Sequence, residues 1–415
     1  LAISLFEERV MNVFNTALGL VAGLLAGTVY ASDTPAMSKG EYLTRAADCE
    51  ACHVAPGGKP FAGGLEFKLP FGSLYSPNIT PDKDTGIGNW SDDEFVDALQ
   101  KGVGKDGKHY YPAFPYTSYT LMSREDILAI KGYLFSLEPV KQMPPENTIS
   151  FPFNQRWGMM FWNAIFAGNE RFVPDSKQSA EWNRGAYLVQ GPGHCGECHT
   201  PRNIFQAMSS GNALAGAELG NWMAYNISSD AKYGIGAWPE EAIVSYLSKG
   251  YAAGFGGAGG PMGDAVEHSL RYLEPADLKA MAVYLKSTPP RSEGIPRPTM
   301  AMNDAALQKG LGQKLFNDTC VACHQIDGSG RQSPAGGLAG LKTVNDPKGR
   351  NLMATLLEGH TPTAARVDQR MPDFARSYSD AELAAVSTFV LRRFGQSDGE
   401  IKAEDVAKNR ASALH

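Results

Sequence analysis

The chain has 415 residues, 43% of them hydrophobic and 20% charged, enough for two to four packed domains. Its 38 lysines and arginines against 44 aspartates and glutamates give a formal net charge of −6, with no basic run long enough to track a phosphate backbone, so nucleic acid is not an expected partner. The 45 glycines and 26 prolines point to many loops joining modest helices and argue against an extended sheet.

In chain order, residues 1–31 come first. The apolar run "MNVFNTALGLVAGLLAGTVYA" ends in Val-Tyr-Ala, with small residues where a signal peptidase cuts, and reads as a secretory signal peptide. A permanent transmembrane anchor is the competing reading, but the uninterrupted apolar part is short for a span. The chain opens on Leu1, which makes Met11 a candidate start.

The first repeat follows over 36–140. It opens with "SKGEYLTRAADCEACH", continues through "NITPDKDTGIGNWSDDEFVDALQKG" and closes with the helical pattern "SREDILAIKGYLFSL". Residues 141–178 form a linker, Pro-rich at first and then dense in Phe, Trp and Met ("FPFNQRWGMMFWNAIFAGNERFV"). That composition marks a protein interface or membrane-surface contact, or else packing between the chain's own domains. The second repeat, 179–288, has the same order: "NRGAYLVQGPGHCGECH", then "NISSDAKYGIGAWPEEAIVSYLSKG", then "EPADLKAMAVYLKST". In both, Gly-Ile-Gly-x-Trp leads into Ser or Pro and acids, the pattern of a helix start. After a Pro-rich linker at 289–302, a shorter third repeat occupies 303–395, from "LGQKLFNDTCVACH" to "SDAELAAVSTFVLRRF", and 396–415 is a tail.

All six cysteines fall in three copies of one pattern: Cys49-Glu-Ala-Cys52-His53, Cys195-Gly-Glu-Cys198-His199 and Cys320-Val-Ala-Cys323-His324. C-x-x-C-H reads as a c-type haem attachment site. Positions i, i+3 and i+4 share a helix face, so two thiols can bond to the haem vinyl groups while the histidine ligates the iron. A thioredoxin-like pair would not need the histidine three times, and zinc knuckles would need cysteine pairs matched in fours. The expected fold is mainly α: three tandem cytochrome c-like helical domains, each around one of three covalently bound haem c groups. Export agrees, since haem c is attached outside the inner membrane, and the expected location is the periplasmic side of that membrane.

The sixth iron ligand in such domains is usually a methionine, whose soft thioether raises the potential. Met371, in "RMPDFARSYSDAEL", and Met262, in the Gly-rich "GGPMGDAVEHSLRYLEPADL", stand just before the closing helices of their repeats. In the first repeat, "YYPAFPYTSYTLMSRED" has Phe114 where a methionine is expected. Met122 is the candidate there and His109 its rival. His194, His268, His360 and His415 read as surface or hydrogen-bonding residues. No catalytic residues of the chain's own are expected, because it carries no dinucleotide fingerprint and no carboxylate–histidine cluster. A haem enzyme with an open site at the first haem is the alternative.

Three C-x-x-C-H units, "GPGHCGECHTPRN", "SPNITPD…GIGNWS" and "YPAFPYTSY" together resemble the triheme cytochrome c subunit of bacterial membrane-bound dehydrogenases, from about Met37 to Phe394. The resemblance implies a partner, a separate catalytic dehydrogenase subunit, whose electrons pass through three haems to ubiquinone at the inner membrane surface. Pro-Ala-Phe-Pro-Tyr-Thr is more similar to cytochromes paired with molybdopterin and iron–sulfur aldehyde dehydrogenases. A quinoprotein alcohol dehydrogenase or a flavoprotein sugar or gluconate dehydrogenase is the alternative partner.

Overall fold

The computed structural model describes residues 37–298, 310–330, 334–360 and 370–413. The expected signal peptide, the Met11 start and His415 lie outside these residues, as does the far end of the 289–302 linker.

Helix α1 (Lys39–Ala46) starts at Ser38, whose hydroxyl accepts the Glu41 N–H. A short turn, α2 (Cys49–Cys52), carries the first motif, and a hairpin pairs β1 (Glu66–Leu69) with β2 (Gly72–Tyr75). Helix α3 (Asp92–Lys101) opens on a capping box between Ser91 and Glu94, as the Trp-Ser-acid pattern predicts, and stops at left-handed Gly102. After the turn α4 (Tyr116–Tyr119), α5 (Arg124–Ser136) closes the first repeat. Leu43, Phe95, Leu99, Ile127, Ile130 and Leu134 fall at helical spacing on facing sides and form one apolar core.

The linker folds into α6 (Gly158–Phe166), an apolar helix only partly covered. Tyr116 Oη donates to Asn163 Oδ1 (2.7 Å) and Trp162 Nε1 to the Phe205 carbonyl (2.8 Å), which fastens one side to both flanking repeats. Phe151, Trp157, Phe161 and Ile165 remain exposed. One side of this segment thus packs between the repeats, and the other is open.

The second repeat has the same parts in the same order: α7 (Ala180–Gln190), the motif turn α8 (Cys195–His199), the hairpin β3 (Ala217–Leu219) with β4 (Trp222–Ala224), and α9 (Glu240–Lys249), stopped at left-handed Gly250. A second small hairpin, β5 (Tyr251–Ala252) with β6 (Gly256–Gly257), leads to α10 (Pro261–His268) and α11 (Pro275–Ser287). The third has α12 (Leu311–Leu315), which runs through a wider π turn at Phe316–Cys320 into the motif turn α13 (Val321–His324). Helices α14 (Arg350–Glu358) and α15 (Asp380–Phe394) follow, the latter on a Ser379–Glu382 capping box. The tail is more than appended chain. Helix α16 (Ala403–Ala413) buries Val406 in the third core and ties back through Arg410 Nε to Asp380 Oδ1 (2.8 Å).

One packing device occurs three times. The first helix of each repeat crosses the closing helix at a glycine: a Cβ on Gly40 would lie 2.1 Å from the Ala129 carbonyl oxygen, on Gly185 1.9 Å from that of Ala280, and on Gly312 2.2 Å from that of Ala385. Any side chain there would drive the two backbones apart. Among the described residues no helix is long and apolar enough to cross a membrane.

Candidate haem sites

Each Cys-x-x-Cys-His sits on a short helical turn directly after a crossing helix. In the first two, the residue before the leading cysteine is left-handed, Asp48 at φ 51° and His194 at φ 35°. That break turns the chain so that the leading thiol, Cys49 or Cys195, packs on the core, while Cys198 stays exposed. The third has no such break, and the π turn supplies the extra residue instead.

The three imidazoles are held alike. Nδ1–H of His53 donates to the Pro77 carbonyl (2.8 Å), that of His199 to Tyr225 (2.6 Å) and that of His324 to Gly336 (2.7 Å). A backbone acceptor on Nδ1 fixes the tautomer that leaves the Nε2 lone pair free for a metal. Burial holds all three below the ordinary histidine pKa against the opposing carbonyl bond, and the Lys342 charge adds to this at His199. Neutral imidazole is the form that ligates iron.

The thiols point the same way. Burial first, then neighbouring acids and thiols, pushes Cys52 and Cys195 up to about 12 and Cys320 to about 11. A redox-active pair needs the opposite shift. Among the described residues, no three His, Cys, Asp or Glu side chains converge as a zinc site requires.

Each candidate methionine shares a core with the leading cysteine of its repeat. Met122 is fully buried in the core against which Cys49 packs, Met262 packs on the core shared with Cys195, and Met371 on that shared with Cys320. Met262 does so from the first turn of α10, not from a loop as its Gly-rich context suggested. The rival His109 has its ring Nδ1 3.1 Å from Asn163 Nδ2. Phe114 packs edge-on against Tyr110 and Tyr119, both at 5.6 Å, within the first core. His194 stacks edge-on with Tyr119 at 5.6 Å, His268 lies 4.0 Å from Glu50, and the His360 backbone pairs with that of Met371. A haem needs two thiols, a neutral imidazole, an apolar bed and donors for its carboxylates. Trp238 Nε1, buried in the core with Cys195 and Met262, has no partner among the described residues and is a donor such a carboxylate could take, so the residues present fit the group.

Several residues around the motifs carry no signal at the level of motif spacing. Within "CGECH", the buried Glu197 accepts from Thr117 Oγ1 (2.6 Å) and Ser118 Oγ (2.9 Å) of the first repeat and from Arg202 Nη2 (2.6 Å). Tyr119, whose hydroxyl donates to the Ala47 carbonyl (2.6 Å), also lies edge-on to His194, so the first two motifs are neighbours across this junction. Tyr42 Oη and Arg184 converge on Asp277 at 2.6–2.9 Å and join the same two repeats. The acid within the motif, followed five residues later by arginine, is the one trace the sequence offers of Glu197–Arg202.

Comparison with known proteins agrees with this geometry. The cytochrome c family matches residues 310–393. The chain is 37% identical to the gluconate 2-dehydrogenase cytochrome c subunit of Pantoea cypripedii, over 96% of this chain and 95% of that one. It is 38% identical to the cytochrome c subunit of alcohol dehydrogenase (quinone) of Gluconobacter oxydans, over 95% and 87%. It is also 38% identical to a nicotinate dehydrogenase subunit of Pseudomonas putida over 92% of this chain, which spans about a third of that protein (33%). With relatives of 37–38% identity aligned over nearly the whole of both chains, the chain belongs to the family of cytochrome c subunits of dehydrogenases.

Proposed function

We propose that this chain is a triheme electron-transfer subunit made of three tandem cytochrome c-like domains. Cys49 and Cys52, Cys195 and Cys198, and Cys320 and Cys323 would form the thioether links. His53, His199 and His324 would bind iron on one side, and Met122, Met262 and Met371 on the other. The observation that carries the reading is the threefold recurrence of a histidine locked through Nδ1 to a backbone carbonyl, beside a cysteine pair whose leading thiol packs with a methionine on one apolar core. Haem c bound there supplies reversible one-electron exchange at iron. The chain's own residues set the environment: buried neutral imidazoles, thioethers and apolar cores favour the ferrous state, and the Glu197 junction holds the first two sites together.

The electrons would come from a catalytic dehydrogenase subunit and go to ubiquinone at the periplasmic face of the inner membrane. The exposed Phe151, Trp157, Phe161 and Ile165 favour a place in a larger assembly over a freely diffusing carrier. Pro-Ala-Phe-Pro-Tyr-Thr favours an aldehyde dehydrogenase with molybdopterin and iron–sulfur centres. The relatives named for alcohol and gluconate dehydrogenases support a quinoprotein or flavoprotein partner as the second reading.

The test is detergent extraction of the native protein, with haem counted per chain and co-purifying subunits analysed for cofactor. Three covalent haems with molybdenum and iron–sulfur clusters support the first reading. Three haems with a quinoprotein or flavoprotein support the second, and fewer than three haems refutes the triheme assignment.

A further inference from the structure

Lys342 is a charged residue that the attachment geometry does not explain. It stands on a single 3-10 turn, Lys342–Val344, of the third repeat, yet its side chain reaches into the second and is only 7% exposed. Its ammonium donates to the Asn226 carbonyl (3.2 Å) and to that of Tyr233, and lies 5.9 Å from the centre of the Tyr225 ring. Both bonded partners are uncharged carbonyls. Tyr225, next to Asn226, is the residue whose own carbonyl takes the Nδ1–H of His199. A buried cation therefore sits one peptide away from the group that holds the second imidazole.

The repeats provide an internal comparison. Asn78 stands in the first repeat where Asn226 stands in the second: each follows the residue that anchors its histidine, and each sends Nδ2 to two linker carbonyls, Val140 and Gln142 in one case, Arg291 and Glu293 in the other. At the second site the Asn226 carbonyl takes the ammonium of a lysine lent by the neighbouring repeat. A positive charge in a low-dielectric setting favours the state with one more electron, and screening by salt is weak there.

We propose that Lys342 is a positioning residue for electron transfer, a buried cation of the third repeat that raises the reduction potential of the haem on His199. The inference rests on the triheme reading. It makes the potential of the second site depend on the packing of the third repeat against it. Asn351, paired with the Met223 backbone in both directions (2.7 and 3.0 Å), holds that packing independently of Lys342.

The test is a spectroelectrochemical titration of the full haem-loaded chain, wild type against Lys342→Met. It is run at pH 6, because burial, reinforced by Arg297 and opposed by Asp230, brings the Lys342 amine down to about 7. Methionine matches the length without the charge, and removing the buried ammonium also removes its desolvation cost, which offsets the hydrogen bonds lost at the Asn226 and Tyr233 carbonyls. The expected result is a fall of about tenfold in the reduction equilibrium of one haem, 59 mV for a one-electron couple. The affected haem is the component that Met262→Ala also moves; the other two stay, and Lys342→Arg restores the wild-type value. Three unchanged potentials with three haems bound overturn the proposal, as does a uniform shift of all three. If Lys342→Met does not load haem, Lys342→Gln, which keeps a donor without the charge, decides by the same criteria. A wild-type haem count below three refutes the triheme reading instead, whatever Lys342 does.

Discussion

Replacing Glu197 by alanine should loosen the junction that holds the first two motifs together. The carboxylate has three donors: the Thr117 and Ser118 hydroxyls and Arg202 Nη2, all within 2.9 Å. Hydrogen bonds to a charged acceptor are worth about 1.5–3 kcal/mol each. The Ser118 hydroxyl, buried at 5% exposure, loses its acceptor. Arg202 suffers less, since it keeps the Glu197 and Gln206 carbonyls and its side chain is 26% exposed, so its share is discounted for solvent. The expected loss is about 3 kcal/mol, and Glu197→Gln, which keeps an acceptor, should lose about half of it. Urea unfolding followed by Soret absorbance and tryptophan fluorescence measures the loss. A cycle with Arg202→Met should give a coupling of about 1 kcal/mol or more. If Glu197→Ala unfolds within about 0.5 kcal/mol of wild type, the junction is not held by this carboxylate.

Gly185→Ala would place a methyl carbon 1.9 Å from the Ala280 carbonyl oxygen. The crossing of α7 and α11 must then open, at a cost of about 3 kcal/mol; an unchanged melting temperature would show that the helices slide freely. Burial alone would raise the Asp277 pKa, but Arg184 and Tyr42 outweigh it and hold it below the ordinary carboxylate range. A depressed folded pKa gives stability that is present above the unfolded value of about 3.9 and lost as pH falls through the folded one. The acid limb of an unfolding profile should therefore flatten in Asp277→Asn, and an identical limb would refute the assignment. Met371→Ala should lower one midpoint potential while all covalent links persist in the mass spectrum; three unmoved potentials would mean that Met371 is no ligand.

Much of the molecule was legible in the order of its residues, because the relevant signals are local. The proposed covalent attachment needs two thiols and an imidazole within five consecutive residues, so Cys195, Cys198 and His199 can be picked out as candidates from the sequence. Ser91 with Glu94 and Ser379 with Glu382 mark helix starts for the same reason: a capping box is complete within four residues. The methionines could be proposed from their place before a closing helix, yet only packing put Met122 in one core with Cys49 and left His109 engaged by Asn163. The Ala-rich tail carries local helix propensity over Ala403–Ala413, but only burial of Val406 against α14 and α15 docks α16 on the third core. Glu197 reads locally as a solvated acid and Lys342 as a surface lysine. Their partners, Thr117 and Ser118 for one and Asn226 and Tyr233 for the other, are some 80 and more than 100 residues away. Covalent and backbone chemistry acts over a few residues and is written along the chain, whereas the charges that join one repeat to the next act through space and are decided only when the repeats pack.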